Sequence, residues 1–268
     1  MNLCTTDATC SVFPATESES RLFVVRTLLV WGMLVGIVAG LLAFGFAKIF
    51  GEPQVNRAIA FEDQMDRIKG EAPMPELVSR HVQSRAGLLT GVVVYGTALG
   101  GLFALAFTIA YQRMARVSVR VTAVLLAGAD FLSLVLVPQI KHPPNPPSVG
   151  QPETIGFRTE LFFLMILVSI AALALAILIA RYLAPRYGNW NAGFLSAAAF
   201  IGIIAIAQLL LPDINEVPDQ FPAVVLWRFR IVSLGIQVIL WSALGLLFGA
   251  VAERVLSKQY NFTKPASR

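Results

Sequence analysis

Apolar residues arrive in six long blocks, at about residues 27–46, 86–111, 117–137, 161–180, 191–211 and 231–251. Each is close to the roughly 20 residues that a helix needs to cross a bilayer core. The pattern predicts an all-α integral membrane protein with six transmembrane helices as three hairpins. A short phrase recurs at the ends of the odd-numbered blocks: Pro53-Gln54-Val55-Asn56, Pro138-Gln139-Ile140-Lys141 and Pro212-Asp213-Ile214-Asn215. A long polar loop follows each one, then an arginine near the start of the returning helix: Arg85, Arg158 and Arg230. Proline restricts the residue before it and often closes an apolar helix. The phrases therefore predict topology, with three long loops on one side, before they predict chemistry.

Composition agrees with this pattern. Of the 268 residues, 56% are hydrophobic and only 14% charged, with a mean hydropathy of +0.70. Soluble domains carry about 25% charged residues. The expected organisation is a disordered cytoplasmic tail at 1–21, one six-helix membrane domain at 22–255 and a second cytoplasmic tail at 256–268. The first residues lack the basic-then-apolar start of a cleavable signal, and the first apolar block is too long for a signal core.

Charge sets the expected orientation. The net charge is +5. The two tails and the turns near 112–120 and 181–190 hold 11 basic groups, among them Arg113, Arg116, Arg120, Arg181 and Arg186, against four acidic ones. Short basic segments stay in the cytoplasm, so both termini are expected inside and the long loops outside. The basic excess faces anionic lipid and implies no nucleic-acid partner. Cys4 and Cys10, in a reducing compartment, are not expected to form a disulfide, and two thiolates alone do not close a metal site.

Glycine recurs at every fourth position in Gly32, Gly36 and Gly40. Such a smooth stripe lets another backbone approach closely. Gly91, Gly96 and Gly100 in the second block are candidate partners, and Gly245 and Gly249 in the last have the same spacing. Packing within one chain is the simpler reading, and a homo-oligomer or partner-subunit contact is the alternative. In the first loop, Val55, Ala58, Ile59 and Phe61 have helical spacing, which predicts an amphipathic helix on the outer surface or capping the bundle. The run 143–147, PPNPP, forces a stiff extended strap that could serve as a lid, a docking strip or a brace. Trp227 and Phe229 fit an interfacial aromatic belt.

Asp130 is the one ionisable side chain well inside an apolar block. A carboxylate there is costly unless paired, hydrated or protonated. It is the candidate transport-path residue, as a cation ligand or proton relay. The structural reading is a pair with an arginine or a hydrogen bond to Ser133. His81 and His142 are the two histidines, both in loops. With Glu216, Asp219 or Glu153 they form a candidate metal-entry set, because divalent transition metals favour imidazole with carboxylate or water. Ordinary exposed-loop histidines are the plain alternative. Arg158 and Arg230 could anchor acidic loop groups. No nucleotide-binding loop, HExxH or nucleophile elbow is present, and nothing predicts an enzyme or a bound cofactor.

The strings EPQVNRAIAFE at 52–62, PPNPP at 143–147 with PETIG at 152–156, and LPDINEVP at 211–218 resemble the CbtA family. The resemblance runs over about residues 22–255. It implies a subunit of a bacterial cobalt transporter in the inner (plasma) membrane, with cobalt as the transported ion, supplying cobalamin synthesis. It also implies a small single-span, histidine-rich partner of the CbtB type, and it carries over no ligand residues. The alternative from a different class is a non-transporting scaffold that docks a partner through its outer loops. A membrane enzyme is a third reading, which a polar pocket enclosing Asp130, Arg158 and Arg230 would favour.

Overall fold

The computed structural model describes residues 17–70, 78–114, 117–147 and 149–263. Cys4 and Cys10 lie outside them. Among the described residues there is no strand, and five helical stretches are long and apolar enough to cross a membrane: Leu22–Lys69, Arg80–Arg113, Val119–Lys141, Ile155–Leu210 and Ala223–Lys258. The first combines α1 (Glu17–Phe46), a π turn (Ala47–Gly51) and α2 (Glu52–Lys69). The second combines α3 (Arg80–Val82), a π turn (Gln83–Gly87) and α4 (Leu88–Arg113). The third runs through α5 (Val119–Asp130), a π turn (Phe131–Leu136) and α6 (Val137–Lys141). The fourth is α7 (Ile155–Leu210), and the fifth is α8 (Ala223–Ala243), a π turn (Leu244–Phe248) and α9 (Gly249–Thr263). Helix reaches into both expected tails, at Glu17 and as far as Thr263.

The first proline phrase does not end its helix, contrary to the sequence expectation. Pro53 and Pro138 stand at the start of α2 and α6, each just after a π turn. Proline cannot donate to the preceding turn and its ring presses on that turn's carbonyl. The wider π turn relieves both demands, and the helix continues. Only Pro212 follows a helix that has stopped, after Leu210. The amphipathic 55–61 segment is thus a direct extension of the first spanning helix. Its apolar side packs beneath the later loops, where Ala58 and Phe61 meet Val149, Phe221 and Val217.

α7 has 56 residues, and straight it would be about 84 Å long. Its two ends nevertheless meet. Thr154, just before it, donates a hydrogen bond to Glu216, just beyond it. Lys141 Nζ donates to Gln208 O at 2.7 Å, and Gln208 Nε2 donates to Val137 O at 3.3 Å. The chain turns back at Gly188, whose φ of 78° and ψ of 159° interrupt the helical path. Met165 and Ala172 before the turn and Ile204 after it share one apolar cluster with Val137.

The glycine stripe packs within the chain. A Cβ added to Gly36 would lie 2.1 Å from Gly96 O, and one added to Gly100 would lie 2.1 Å from Gly32 O. Gly40 meets Val92 O. The register 32–100, 36–96, 40–92 makes α1 and α4 antiparallel and in backbone contact. Gly91 takes no part and has open space around it. Gly245 and Gly249 pack on Ala127 and Ala123 of α5. The main core follows from these close approaches: Ala39, Ala43, Ala104, Ala123 and Ala127 leave room for Phe103, Phe107, Trp241 and Phe248. Phe103 and Phe107 meet Phe248 edge-to-face, with ring centroids 5.4 and 5.1 Å apart.

The elaborate loops gather at one end of the bundle. Arg80 Nη2 pairs with Glu52 Oε2 at 2.5 Å, and Lys48 Nζ donates to Ser84 O at 2.8 Å, closing the junction between the first two stretches. Lys141 Nζ, only 6% exposed, pairs with Asp213 Oδ1 at 2.5 Å. The opposite end has short turns and an exposed pair between Arg120 and Glu253, 2.6 Å apart, of the sort that adds little stability.

Candidate functional site

Among the described residues, buried polar groups without partners gather at two places, with Thr122 Oγ1 and Ser169 Oγ apart from both. The first lies among the loops. Residues of the 142–145 segment, Val149, the start of α7, the 214–217 segment and Arg230 of α8 line a cavity of about 400 Å³. Arg158 and Arg230 line it together with His142, Asn145, Thr159 and Asn215. The proline strap is a brace on its wall: Pro146 is buried, and Asn145 Oδ1 accepts a hydrogen bond from Arg230 Nη2 at 2.9 Å.

Glu216 holds the loops together. Its side chain is 8% exposed, and Arg158 Nη1 lies 3.2 Å from Oε2. Gln151 N–H donates to the same oxygen at 2.9 Å, and the Thr154 hydroxyl donates to Oε1. The Thr154 hydroxyl first, then the Gln151 amide and the Arg158 charge, hold this carboxyl below the usual carboxylate range against the opposing effect of burial. His142 is also lowered, which for an imidazole favours the neutral form. Burial, and then the neighbouring Lys141 charge, lower its pKa, with Asp213 opposing.

Gly150 sets the position of Arg158. Its φ is +119°, and a Cβ there would lie 2.6 Å from Arg158 Nη1 and 2.8 Å from Nη2. Alanine at 150 therefore carries backbone strain of about 1–2 kcal/mol and displaces the guanidinium. Gly150→Ala is expected to lower the melting temperature in a detergent thermal-unfolding assay, whereas Gly202→Ala, at a glycine with open space around it, leaves it unchanged. Equal melting curves for the two variants would refute this role.

The second place is the end of α5. Asp130 is half-buried and makes no hydrogen bond or ion pair among the described residues. Neither the arginine pair nor the bond to Ser133 is formed. Ser133 is 2% exposed, and its Oγ is buried without a partner. Both residues flank the start of the Phe131–Leu136 π turn, a distortion that often marks functional sites. That turn packs between α7 and α8, and α8 carries two further buried unpartnered groups, Gln237 Oε1 and Trp241 Nε1. Asp130 does not line the loop cavity that holds Arg158 and Arg230.

The candidate metal-entry residues are dispersed. His81 is exposed in α3, Asp219 and Glu153 are exposed, and Glu216 is occupied by Arg158, Gln151 and Thr154. His142 alone of the two histidines reaches the cavity. Among the described residues, no three of His, Cys, Asp and Glu gather as a metal cluster. Arg80 was missed in the sequence. It pairs with Glu52, while Arg85, the arginine read near the start of the returning helix, is exposed. Its partner Glu52 lies 28 residues away, and no local pattern links them.

A family model described as probable cobalt transporter subunit (CbtA) matches residues 25–253. No curated protein and no solved structure matches the chain.

Proposed function

Since the chain belongs to the CbtA family of probable cobalt transporter subunits, we propose that it is the membrane body of a cobalt-uptake system, with Asp130 on the ion path. The observation that carries the reading is an unpartnered carboxylate at a helix distortion inside an apolar span. In an apolar medium such a group has a large free-energy incentive to meet a cation, a proton or water. Ser133 Oγ within the same π turn, and Trp241 Nε1 of α8, which packs on it, are buried without a partner and add polar surface there.

Counting α7 as two crossings joined at Gly188 gives six spans in three hairpins. The basic short turns then face the cytoplasm with both termini, and the loop end faces outward in a bacterial inner membrane. Cobalt would approach exposed carboxylates such as Asp219 and Glu153, pass Asp130, and leave at the basic side. Passage demands weak, labile coordination, which dispersed carboxylates and water supply better than a closed histidine cage. Metal capture would fall to a small single-span, histidine-rich partner of the CbtB type, and the delivered ion would feed cobalamin synthesis.

The test is ⁵⁷Co²⁺ entry into liposomes containing the purified chain, with and without that partner. Uptake above empty liposomes in either arm is the expected result. No flux in both arms, with a stable complex recovered, would defeat the proposal and favour the scaffold.

A further inference from the structure

We propose that the loop cavity is an oxyanion site that takes a phosphate group between Arg158 and Arg230. This goes beyond the transport reading and does not depend on it. Three nitrogen atoms around this one cavity are buried without a partner: Arg158 Nε, Arg230 Nε and His142 Nε2. A buried guanidinium N–H left unbonded is costly, so the cavity lining is short of acceptors.

The charges agree. Glu216 offsets Arg158. Arg230 has only the neutral Asn145 Oδ1 as a hydrogen-bond partner, and no carboxylate pairs with it among the described residues. The lining therefore keeps one uncompensated positive charge, which repels a free divalent cation and attracts an anion. Planar guanidinium forks match the oxygen spacing of phosphate. The volume of about 400 Å³ leaves room for more than a single water. Glu216 and Gly150 hold Arg158 from behind, so the site is organised before anything enters it.

The phosphate could be free in solution or part of an anionic lipid headgroup, since both present the same oxygens. Purified protein in neutral detergent, without cobalt, is titrated with inorganic phosphate in one arm and dioctanoyl phosphatidylglycerol in the other, and thermal unfolding is followed. A saturable rise in melting temperature is expected in at least one arm. Tighter binding of the lipid assigns the site to a headgroup, and equal or tighter binding of phosphate assigns it to the free ion. Arg230→Gln is expected to weaken binding about tenfold or more, with Arg230→Lys, which keeps the charge, falling between. No saturable shift with either ligand would overturn the site, as would Arg230→Gln binding as tightly as the parent. If Arg230→Gln fails to fold, Arg230→Lys together with His142→Ala decides the question: unchanged affinity in both rejects the site.

Discussion

Gly36→Leu is expected to abolish the folded protein. A side chain at this position meets backbone on the opposing helix, with Gly96 O 2.1 Å, Gly96 C 2.9 Å and Thr97 Cα 3.1 Å from the first added carbon. No rotamer relieves such a contact, because the carbon concerned is Cβ. The helices would have to separate by roughly 1 Å or more to restore van der Waals distance. Separation would also loosen Gly32 against Gly100 and Gly40 against Val92, and leave gaps around Val35, Ala39, Phe103 and Ala104 in the core. In lipid there is little hydrophobic force to compensate, because association rests on close packing. The cost should reach about 3 kcal/mol or more. Gly91→Leu is the control, since Gly91 has open space around it. On size-exclusion chromatography of detergent extracts, Gly36→Leu should lose the monodisperse peak and Gly91→Leu should keep it. Two similar peaks would show that the α1–α4 contact does not hold the bundle.

That contrast also shows what the sequence could reveal. The stripe in α1 was legible because a four-residue repeat of glycines is a local signal. Its partners were only partly legible. Gly96 and Gly100 were recognised, but the third contact falls on Val92, because an antiparallel register steps by four from 100 and 96. The helix extension through Pro53 was not legible. The same proline that closes most apolar helices is here preceded by a π turn, and no residue pattern announces one. The turn at Gly188 shows the reverse case: two apolar blocks were read separately, and the helical path between them breaks at a single glycine.

The loop cavity was legible in parts and not as a whole. Arg158 and Arg230 stood out as arginines at the start of returning helices, and His142 as one of two histidines. In the sequence, His142 with the acidic loop groups suggested metal entry, and the two arginines suggested anchors for those acidic groups. Folding gives the acidic groups to other partners, with Asp213 held by Lys141 and Glu216 by Arg158, Gln151 and Thr154. What remains around the cavity is positive. Pairings across 62 to 85 residues decided this, and no spacing rule reaches that far. If phosphate does bind there, the loop end holds an anion beside the face where the cation would arrive, which would lower the local repulsion from the arginines.

Asp130→Asn is expected to reduce cellular ⁵⁷Co accumulation by about tenfold or more while leaving the amount of protein in the membrane unchanged or higher. Asparagine keeps the size and planar shape of the side chain but cannot be negative. A carboxylate held for stability would need a partner, and Asp130 has none among the described residues. Its removal should therefore relieve a desolvation cost rather than break a bond. Loss of transport with stability kept or raised separates a path residue from a structural one. Asp130→Glu retains the charge on a longer arm and should keep part of the uptake. Asp130→Ser should match Asp130→Asn, since neither supplies a carboxylate. Both Asp130→Asn uptake at the parent level and loss of membrane protein in proportion to uptake would remove Asp130 from the path. The first would mean that no charge is needed there, and the second that the residue supports folding. With the carboxylate removed, the Ser133 hydroxyl and backbone carbonyls would be the remaining oxygens of the π turn. Neutral oxygens bind a divalent ion far more weakly than a carboxylate does, and a residual uptake of a few per cent would measure their share.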